Sequence, residues 1–330
     1  MKAENESPAA LAGPLLPWRQ LPFPVPWDEV FGSTGPLNLE VGFGDGRYTV
    51  RRALAHPDER FAALEISTAS VMRALRRTKR DGATNVRLLK LGAQFAVRHL
   101  FAPGSLASIV VNFPDPWPKE RHEKNRLLQA SFFDLAASRL QPGAAILLAT
   151  DHPEYLAFAR EQALLSGRFD LEEREAPPEV FETKYALKWR DQGKPLYYQA
   201  FVNRGGDAPH FPILERPTAM PHALLQGDMK SIDGLEKRVI PYGDGHVILH
   251  EAARSLGEGG DRLLVRATID EPDLKQQVLV VVQRREGGEL IVRLEPFGDP
   301  IITRTARGAV HGVTEWLVDT GGFRVQERNY

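Results

Sequence analysis

The sequence predicts an α/β protein: a mainly parallel sheet with helices on both faces, followed by a second, smaller α+β domain. Three observations carry this. From about residue 35 to 204, short apolar runs alternate with stretches of helical periodicity, the signature of strand–helix–strand crossovers. The first run ends in Gly42, Gly44 and Gly46 and opens directly into a helical stretch. Beyond residue 238 the pattern changes to closely spaced β-rich runs with one amphipathic segment.

The elements follow in order. Residues 1–34 form a proline-rich arm, in which Pro14, Pro17, Pro22, Pro24 and Pro26 interleave with Trp18, Phe23 and Trp27. Proline lacks the N–H that ladders and helices need. The arm is expected either to lie on the domain through its aromatics or to fray. The main domain, 35–204, is expected to hold strands at 37–41, 61–66, 86–90, 106–113 and 144–150. Its helices are expected at 47–55, 69–80, 125–140 and 154–165, with 169–174 and 196–203 as a closing hairpin. Residues 205–238 read as a linker punctuated by Gly205, Gly206, Pro209, Pro212, Pro217 and Pro221. The last domain, 239–330, is expected to have strands at 247–250, 262–269, 277–283, 290–294 and 323–326. Its helix is expected at 309–318, with Val310, Val313, Trp316 and Leu317 facing the core.

Composition narrows the chemistry. The 330 residues include no cysteine, which excludes disulfide scaffolds, thiol catalysis, iron–sulfur clusters and cysteine zinc sites. The nine histidines show neither H-E-x-x-H nor H-x-H spacing, so no metal is expected. The net charge of −1 is a sum of unlike parts: residues 1–205 carry +3 and residues 206–330 carry −4. Such a split points to two units with different tasks. No run approaches the roughly 18 apolar residues of a membrane helix. The start of the chain, with Glu4 and Glu6, lacks the basic opening of a signal peptide. A cytoplasmic protein with no membrane partner is expected; monomer and homodimer both stay open.

Three motifs carry chemistry. In Glu40-Val41-Gly42-Phe43-Gly44-Asp45-Gly46 the glycines follow G-x-G-x-G rather than the nicotinamide pattern G-x-G-x-x-G. An acid stands two residues before the first glycine. This is the arrangement of enzymes that bind S-adenosylmethionine, with Glu40 placed to attract the cationic amino-acid end. Glu65, closing the second strand, is placed to accept hydrogen bonds from ribose hydroxyls. The third motif runs Asn112-Phe113-Pro114-Asp115-Pro116-Trp117-Pro118-Lys119 and on through Arg121, His122, Lys124 and Arg126. Three prolines stiffen a loop that holds Asp115. Trp117 offers a flat face to a base, and the cations offer partners to phosphates. His122 reads as a phosphate or loop contact. The charge run Arg73, Arg76, Arg77, Lys79 and Arg80 reads first as a solvated helix face and second as an RNA contact.

Together, the glycine loop, residues 112–126, Ala149-Thr150-Asp151-His152 and Thr183-Lys184-Tyr185 resemble the bacterial tRNA (guanine-N7)-methyltransferase family over roughly residues 35–204. The resemblance implies a Rossmann-like seven-stranded methyltransferase fold, S-adenosylmethionine as cofactor, and a guanine in the variable loop of tRNA as substrate. It implies Glu40, Gly42, Gly44, Gly46, Glu65, Gly92 and Asp115 at the cofactor, with Asp115 also at the reaction centre. It implies Lys119, Arg121, His122, Asp151, Thr183 and Lys184 at the guanosine or RNA. Two positions depart from the family pattern: Gly92 stands where an Asp near the adenine is usual, and Ala186 where a Glu usually follows T-K-[FY]. Glu182 and Asp191 are the acids near enough in sequence to substitute. These departures motivate an alternative reading, a weak or inactive tRNA-binding protein on a methyltransferase fold. A methyltransferase acting on another substrate is a third reading, and a nicotinamide oxidoreductase a distant fourth. The 239–330 domain lies outside the family's usual length and carries no motif of its own.

Overall fold

The computed structural model describes residues 13–216, 219–232, 234–255 and 262–330, with the backbone alone at 120 and 189–191. The chain forms two compact units, Met1–Ile213 and Leu214–Tyr330.

The first unit is built on β1 (Leu37–Val41), β2 (Arg60–Glu65), β3 (Val86–Lys90), β4 (Leu106–Asn112), β5 (Leu140–Thr150), β6 (Phe169–Glu172) and β7 (Tyr197–Asn203). They form one sheet in the order β3-β2-β1-β4-β5-β7-β6. Neighbours from β3 to β5 pair in parallel, and β7 runs antiparallel to both β5 and β6. This is the Rossmann-like sheet the sequence predicts. Its helices are α1 (Trp27–Phe31), α2 (Arg47–Ala55), α3 (Thr68–Asp81), α4 (Ala93–His99), α5 (Ala130–Arg139), α6 (Pro153–Ser166), α7 (Pro178–Phe181) and α8 (Lys184–Asp191). Strand order reverses between β1 and β4, and ligands of such sheets bind beyond the strand ends at that switch. The register sets Val41 beside Leu64 of β2 and Val111 of β4. The next residue along each strand is therefore Gly42, Glu65 or Asn112, so three strand ends deliver three motif residues to one place.

The proline-rich arm is docked on this unit. Leu16 donates to the Leu88 carbonyl, and Leu88 donates to that of Pro14. The indoles of Trp18 and Trp27 donate to the carbonyls of Lys90 and Leu100 at 3.1 and 3.0 Å. Both rings are buried. Of the two expectations for the arm, the aromatic anchor is the one observed over residues 13–34.

Among the stretches that differ from expectation, two have a clear physical reason. The helix expected over 125–140 begins only at Ala130, after a 3₁₀ turn at Glu120–Asn125. The Gln129 amide donates to the carbonyls of Glu123 and Arg126, which holds an extended break that periodicity conceals. The stretch 205–238, expected to be linker, contains β8 (His222–Gln226) and the first residue of β9 (Arg238–Tyr242). Ala223 and Leu225 of β8 are fully buried. A five-residue strand between prolines has too few alternations to stand out in sequence.

The second unit continues with β10 (Gly245–Arg254), β11 (Arg262–Asp270), β12 (Lys275–Arg284), β13 (Leu290–Leu294) and β14 (Arg324–Asn329). These strands and β8 and β9 make an antiparallel sheet in the order β14-β8-β13-β12-β11-β10-β9. Helix α9 (Arg304–Gly321) packs Val310, Val313, Trp316 and Leu317 against Val247, Val265, Val280 and Val292. Thr303 caps it by accepting from the Ala306 N–H at 3.0 Å. Among the described residues no helix is long and apolar enough to cross a membrane, and no group of acids and histidines has the makings of a metal site.

Candidate active site

A cavity of about 590 Å³ opens at the switch between β1 and β4. That volume lies in the range of small-ligand pockets. Glu40, Gly42, Gly44, Glu65, Asp115, Thr183 and Lys184 all line it. The sequence thus nominated its wall from four separate segments.

Gly42 and Gly44 adopt φ of 79° and 57°. A Cβ on either would meet nothing within 4 Å, so backbone conformation requires the glycines here, and a ligand can approach their backbone closely. Gly46 has a different role. A Cβ there would lie 2.7 Å from that of Ala74, so Gly46 lets α3 pack against the start of α2. Gly46 and Gly92 do not line the cavity, although Leu91 and Ala93 on either side of Gly92 do. Gly92 precedes α4, a helix the sequence reading missed. Its only signal was the apolar cluster Phe95, Ala96 and Val97.

The carboxylates are held by the protein itself. Glu40 is buried at 5% exposure, accepting from the Thr49 hydroxyl on one oxygen and from the Asn112 amide at 3.3 Å on the other. Burial pushes its carboxyl up to about 7, and the charges of Glu65 and Asp45 add to the rise. Tyr48 is also buried beside Glu40, and burial drives its phenol up. Glu65 accepts from the N–H groups of Gly44 at 3.1 Å, Ile66 at 2.8 Å and Ser67 at 2.9 Å. An ionised carboxylate has about four acceptor positions. Three are in use, so a pair of ribose hydroxyls would have to share the fourth or displace a backbone donor.

Asp115 sits exposed on the proline loop. Phe113 and Trp117 on either side take left-handed φ of 51° and 43°, strained for bulky residues. Arg126 stabilises this shape, donating to the carbonyls of Pro116 at 3.0 Å and Trp117 at 3.4 Å. Its guanidinium lies over the Phe158 ring. The expectation that Arg126 offers itself to phosphates is corrected: its side chain is 10% exposed and clamps the loop. His122 stands edge-on to Trp117 at 5.7 Å, the loop contact among its two expected roles.

Lys119, Arg121, His122 and Asp151 do not line the cavity. Lys119 and Arg121 are exposed beside it in sequence. Asp151, beyond the end of β5, pairs with Lys194 at 3.7 Å. The Thr183 hydroxyl donates to the Val180 carbonyl and accepts from the Ala186 N–H, so it caps α8. Lys184 and Tyr185 stand exposed on the cavity wall. Ala186 is buried, and Glu182 pairs with Arg51. The Asp191 side chain lies outside the described residues. The basic helix α3 is divided: Arg73 lines the cavity, Arg77 binds the Asp45 carbonyl at 3.1 Å, and Arg80 pairs with Asp81. Asn112, Ile66, Arg73 and Tyr185 are wall residues that sequence reasoning did not assign. Asn112 and Tyr185 were visible as motif neighbours.

Residues 34–199 match the model of a family described as "Putative methyltransferase". The tRNA (guanine-N(7)-)-methyltransferase of Thermus thermophilus is 39% identical over 313 residues, covering 95% of this chain and 99% of that protein. The protein of the same name from Deinococcus radiodurans is 43% identical, covering 89% of this chain and 92% of its own length. That from Thermotoga maritima is 29% identical, covering 91% and 95%. Matches of this length run through most of the second unit, so that unit is shared with these relatives. The relative from Nitrosomonas eutropha matches over only 170 residues, 49% of this chain.

Proposed function

The chain belongs to the tRNA (guanine-N(7)-)-methyltransferase family, and from that membership and the cavity's chemistry we propose that it transfers a methyl group from S-adenosylmethionine to N7 of a guanine in tRNA. The observation that carries the reading is the convergence of Glu40, Glu65 and Asp115 on one cavity at the β1/β4 switch. We further place the target guanine in the variable loop and the enzyme in the cytoplasm, where its tRNA substrate is.

The wall fits the cofactor on its own chemistry. Open space faces two glycine backbones, a buried carboxylate matches a cationic amine, and Asn112 Oδ1 is buried without a hydrogen-bond partner among the described residues. Glu40, Gly42 and Gly44 would hold the amino-acid end, and Glu65 with Ile66 the nucleoside end. The bound cofactor supplies an electrophilic methyl group on a sulfonium.

Guanine N7 has a lone pair and no proton, so the chain needs no obligatory general base. Its task is alignment and exclusion of water. Trp117, Phe113 and Tyr185 supply apolar faces at the wall for the base. We assign Asp115 to the guanine, either steadying the positive charge that the purine acquires or accepting from its N–H donors. Lys119 and Arg121 lie exposed beside this loop, placed for the RNA backbone.

Incubating the chain with methyl-labelled S-adenosylmethionine and unmodified tRNA tests this reading. Label in 7-methylguanosine is expected. Label in another nucleoside, or tRNA binding without label, would sink it.

A further inference from the structure

Helix α3 (Thr68–Asp81) carries Arg73, Arg76, Arg77, Lys79 and Arg80 against one acid, Asp81. Residues 1–205 together carry +3, so without this helix that stretch has no net positive charge. Arg73, Arg76, Arg77 and Arg80 are spaced i, i+3, i+4 and i+7 and share one face over about 10 Å of helix. The buried residues of α3 are Ser70, Val71, Ala74 and Thr78. Like charges at these spacings repel, and a helix face that only meets water alternates the sign of its charges. Helix α3 does not alternate: its one acid ends the helix, and Arg80 holds it.

The face begins at the active site. Arg73 lines the main cavity. Arg77 lines a neighbouring hollow of about 380 Å³ with Arg47 and Arg51 of α2, and Arg47 belongs to both walls. Arg47 and Arg77 pair with Asp45, and Arg51 with Glu182. Arg76 and Lys79 are exposed and have no ion pair among the described residues. The proline loop has fewer cations to offer than its sequence suggests. Arg126 clamps loop carbonyls and His122 rests on Trp117, which leaves Lys119, Arg121 and Lys124 exposed there. A polyanion seated in the cavity therefore meets more positive charge on α3 than on the loop. An acidic protein surface would match the charge too, but this face adjoins the cavity that takes the base.

Resting on the tRNA reading above, we propose that the exposed face of α3 is a second phosphate track, along which the sugar–phosphate backbone of the bound tRNA lies while its guanine occupies the cavity. Arg76 and Lys79 carry the contact, and Arg73 holds the end nearest the cavity. Arg77 and Arg80 flank the track while paired with Asp45 and Asp81. Contacts of this kind fix the register of the RNA and read no sequence. Choice of the base is left to the cavity wall.

The test is the salt dependence of tRNA binding by the full chain, read by fluorescence anisotropy from about 0.05 to 0.4 M salt. Arg76→Gln combined with Lys79→Gln removes two exposed charges. The slope of log affinity against log salt is expected to fall by about 1.5, and Kd at about 0.1 M salt to rise about 30-fold. Affinity for S-adenosylhomocysteine, and kcat at saturating tRNA, are expected to stay within about 2-fold, which certifies the fold. Arg76→Lys combined with Lys79→Arg keeps both charges and is expected to keep the wild-type slope. Photoreactive benzoylphenylalanine at position 79 is expected to crosslink to labelled tRNA. An unchanged slope in the glutamine pair would overturn the proposal and make α3 a solvated face. A reduced slope without a crosslink would also overturn it, because the charges would then act only at long range. If the glutamine pair does not fold, Arg76→Gln alone decides, with a fall of about 0.8 expected and no fall overturning the track. A wild-type chain that does not bind tRNA would instead overturn the tRNA reading itself.

Discussion

Glu40→Gln separates what this carboxylate costs the fold from what it does for the ligand. In the folded chain, burial lifts the carboxyl to about 7, opposed by the hydrogen bonds from Thr49 and Asn112 and reinforced by the charges of Glu65 and Asp45. In the unfolded chain the group titrates near 4.5. Between these values the folded chain keeps a proton that the unfolded chain releases, so stability falls as pH rises through the window. Above it, ionised Glu40 costs about 3 kcal/mol, taking about 1.36 kcal/mol per pH unit of difference. Glutamine cannot ionise, and its amide can still meet Thr49 and a turned Asn112. The variant is therefore expected to match wild type near pH 5 and to exceed it by up to about 3 kcal/mol at pH 8. Its affinity for S-adenosylhomocysteine is expected to fall at both pH values. Urea unfolding at pH 5, 6, 7 and 8, fitted with one transition per unit, reads the first quantity; calorimetry reads the second. A stability difference that is the same at pH 5 and pH 8 would refute the assignment of a raised Glu40. A more stable variant with undiminished affinity would refute its role toward the ligand.

Three other perturbations test neighbouring parts. Asp115→Asn keeps a carbonyl acceptor and removes the charge; if charge is what matters, kcat falls about 100-fold or more, as far as in Asp115→Ala, with cofactor affinity little changed. An asparagine variant near wild-type turnover would assign Asp115 to holding the guanine edge instead. Arg126→Met releases the Pro116 and Trp117 carbonyls and is expected to lower kcat about 10-fold while leaving the salt dependence of tRNA binding unchanged; a salt slope reduced by about one would make Arg126 a phosphate contact after all. His99 is held down to about 4 by burial and by the charges of Arg98 and Arg139, so the unfolded chain gains a proton first and stability drops as pH falls from 6.5 toward 4. His99→Leu is expected to flatten that acid slope in urea unfolding, and an unaltered slope would show that other groups set it.

The first three strands of the first unit were legible because each is a run of five or six residues buried along all but its last position. Bounds at β1 and β3 agree with the sequence reading residue for residue, and that at β2 within one. Signals failed where one side chain overrides the local pattern. Gln129 breaks the helix expected at 125–140 by binding two carbonyls, and nothing in its own type announces that. Strand β8 failed for a different reason. Its partners β13 and β14 lie more than sixty residues away, so what makes it a strand is pairing rather than propensity. Helix α9 was legible because eighteen residues give an apolar stripe time to declare its period.

The site divides along another line. Residue types told which side chains can meet a cofactor or a base, and the sheet register then brought Glu40, Glu65 and Asn112 together at adjoining strand ends. What types cannot tell is which groups the protein has already used. Thr183 has spent its hydroxyl as a helix cap, Arg126 has spent its guanidinium on loop carbonyls, and Glu65 has spent three acceptor positions on backbone amides. Each looks available in sequence and is engaged in the fold. The converse holds for Asn112, which reads as an ordinary strand end and holds a buried acceptor with no hydrogen-bond partner among the described residues. The ledger of donors and acceptors, more than the list of charged residues, therefore separates groups that build this cavity from groups left to bind in it. By that criterion Asp115 and Lys184 are wall groups with room to meet a ligand, while Thr183 and Arg126 hold the wall in shape.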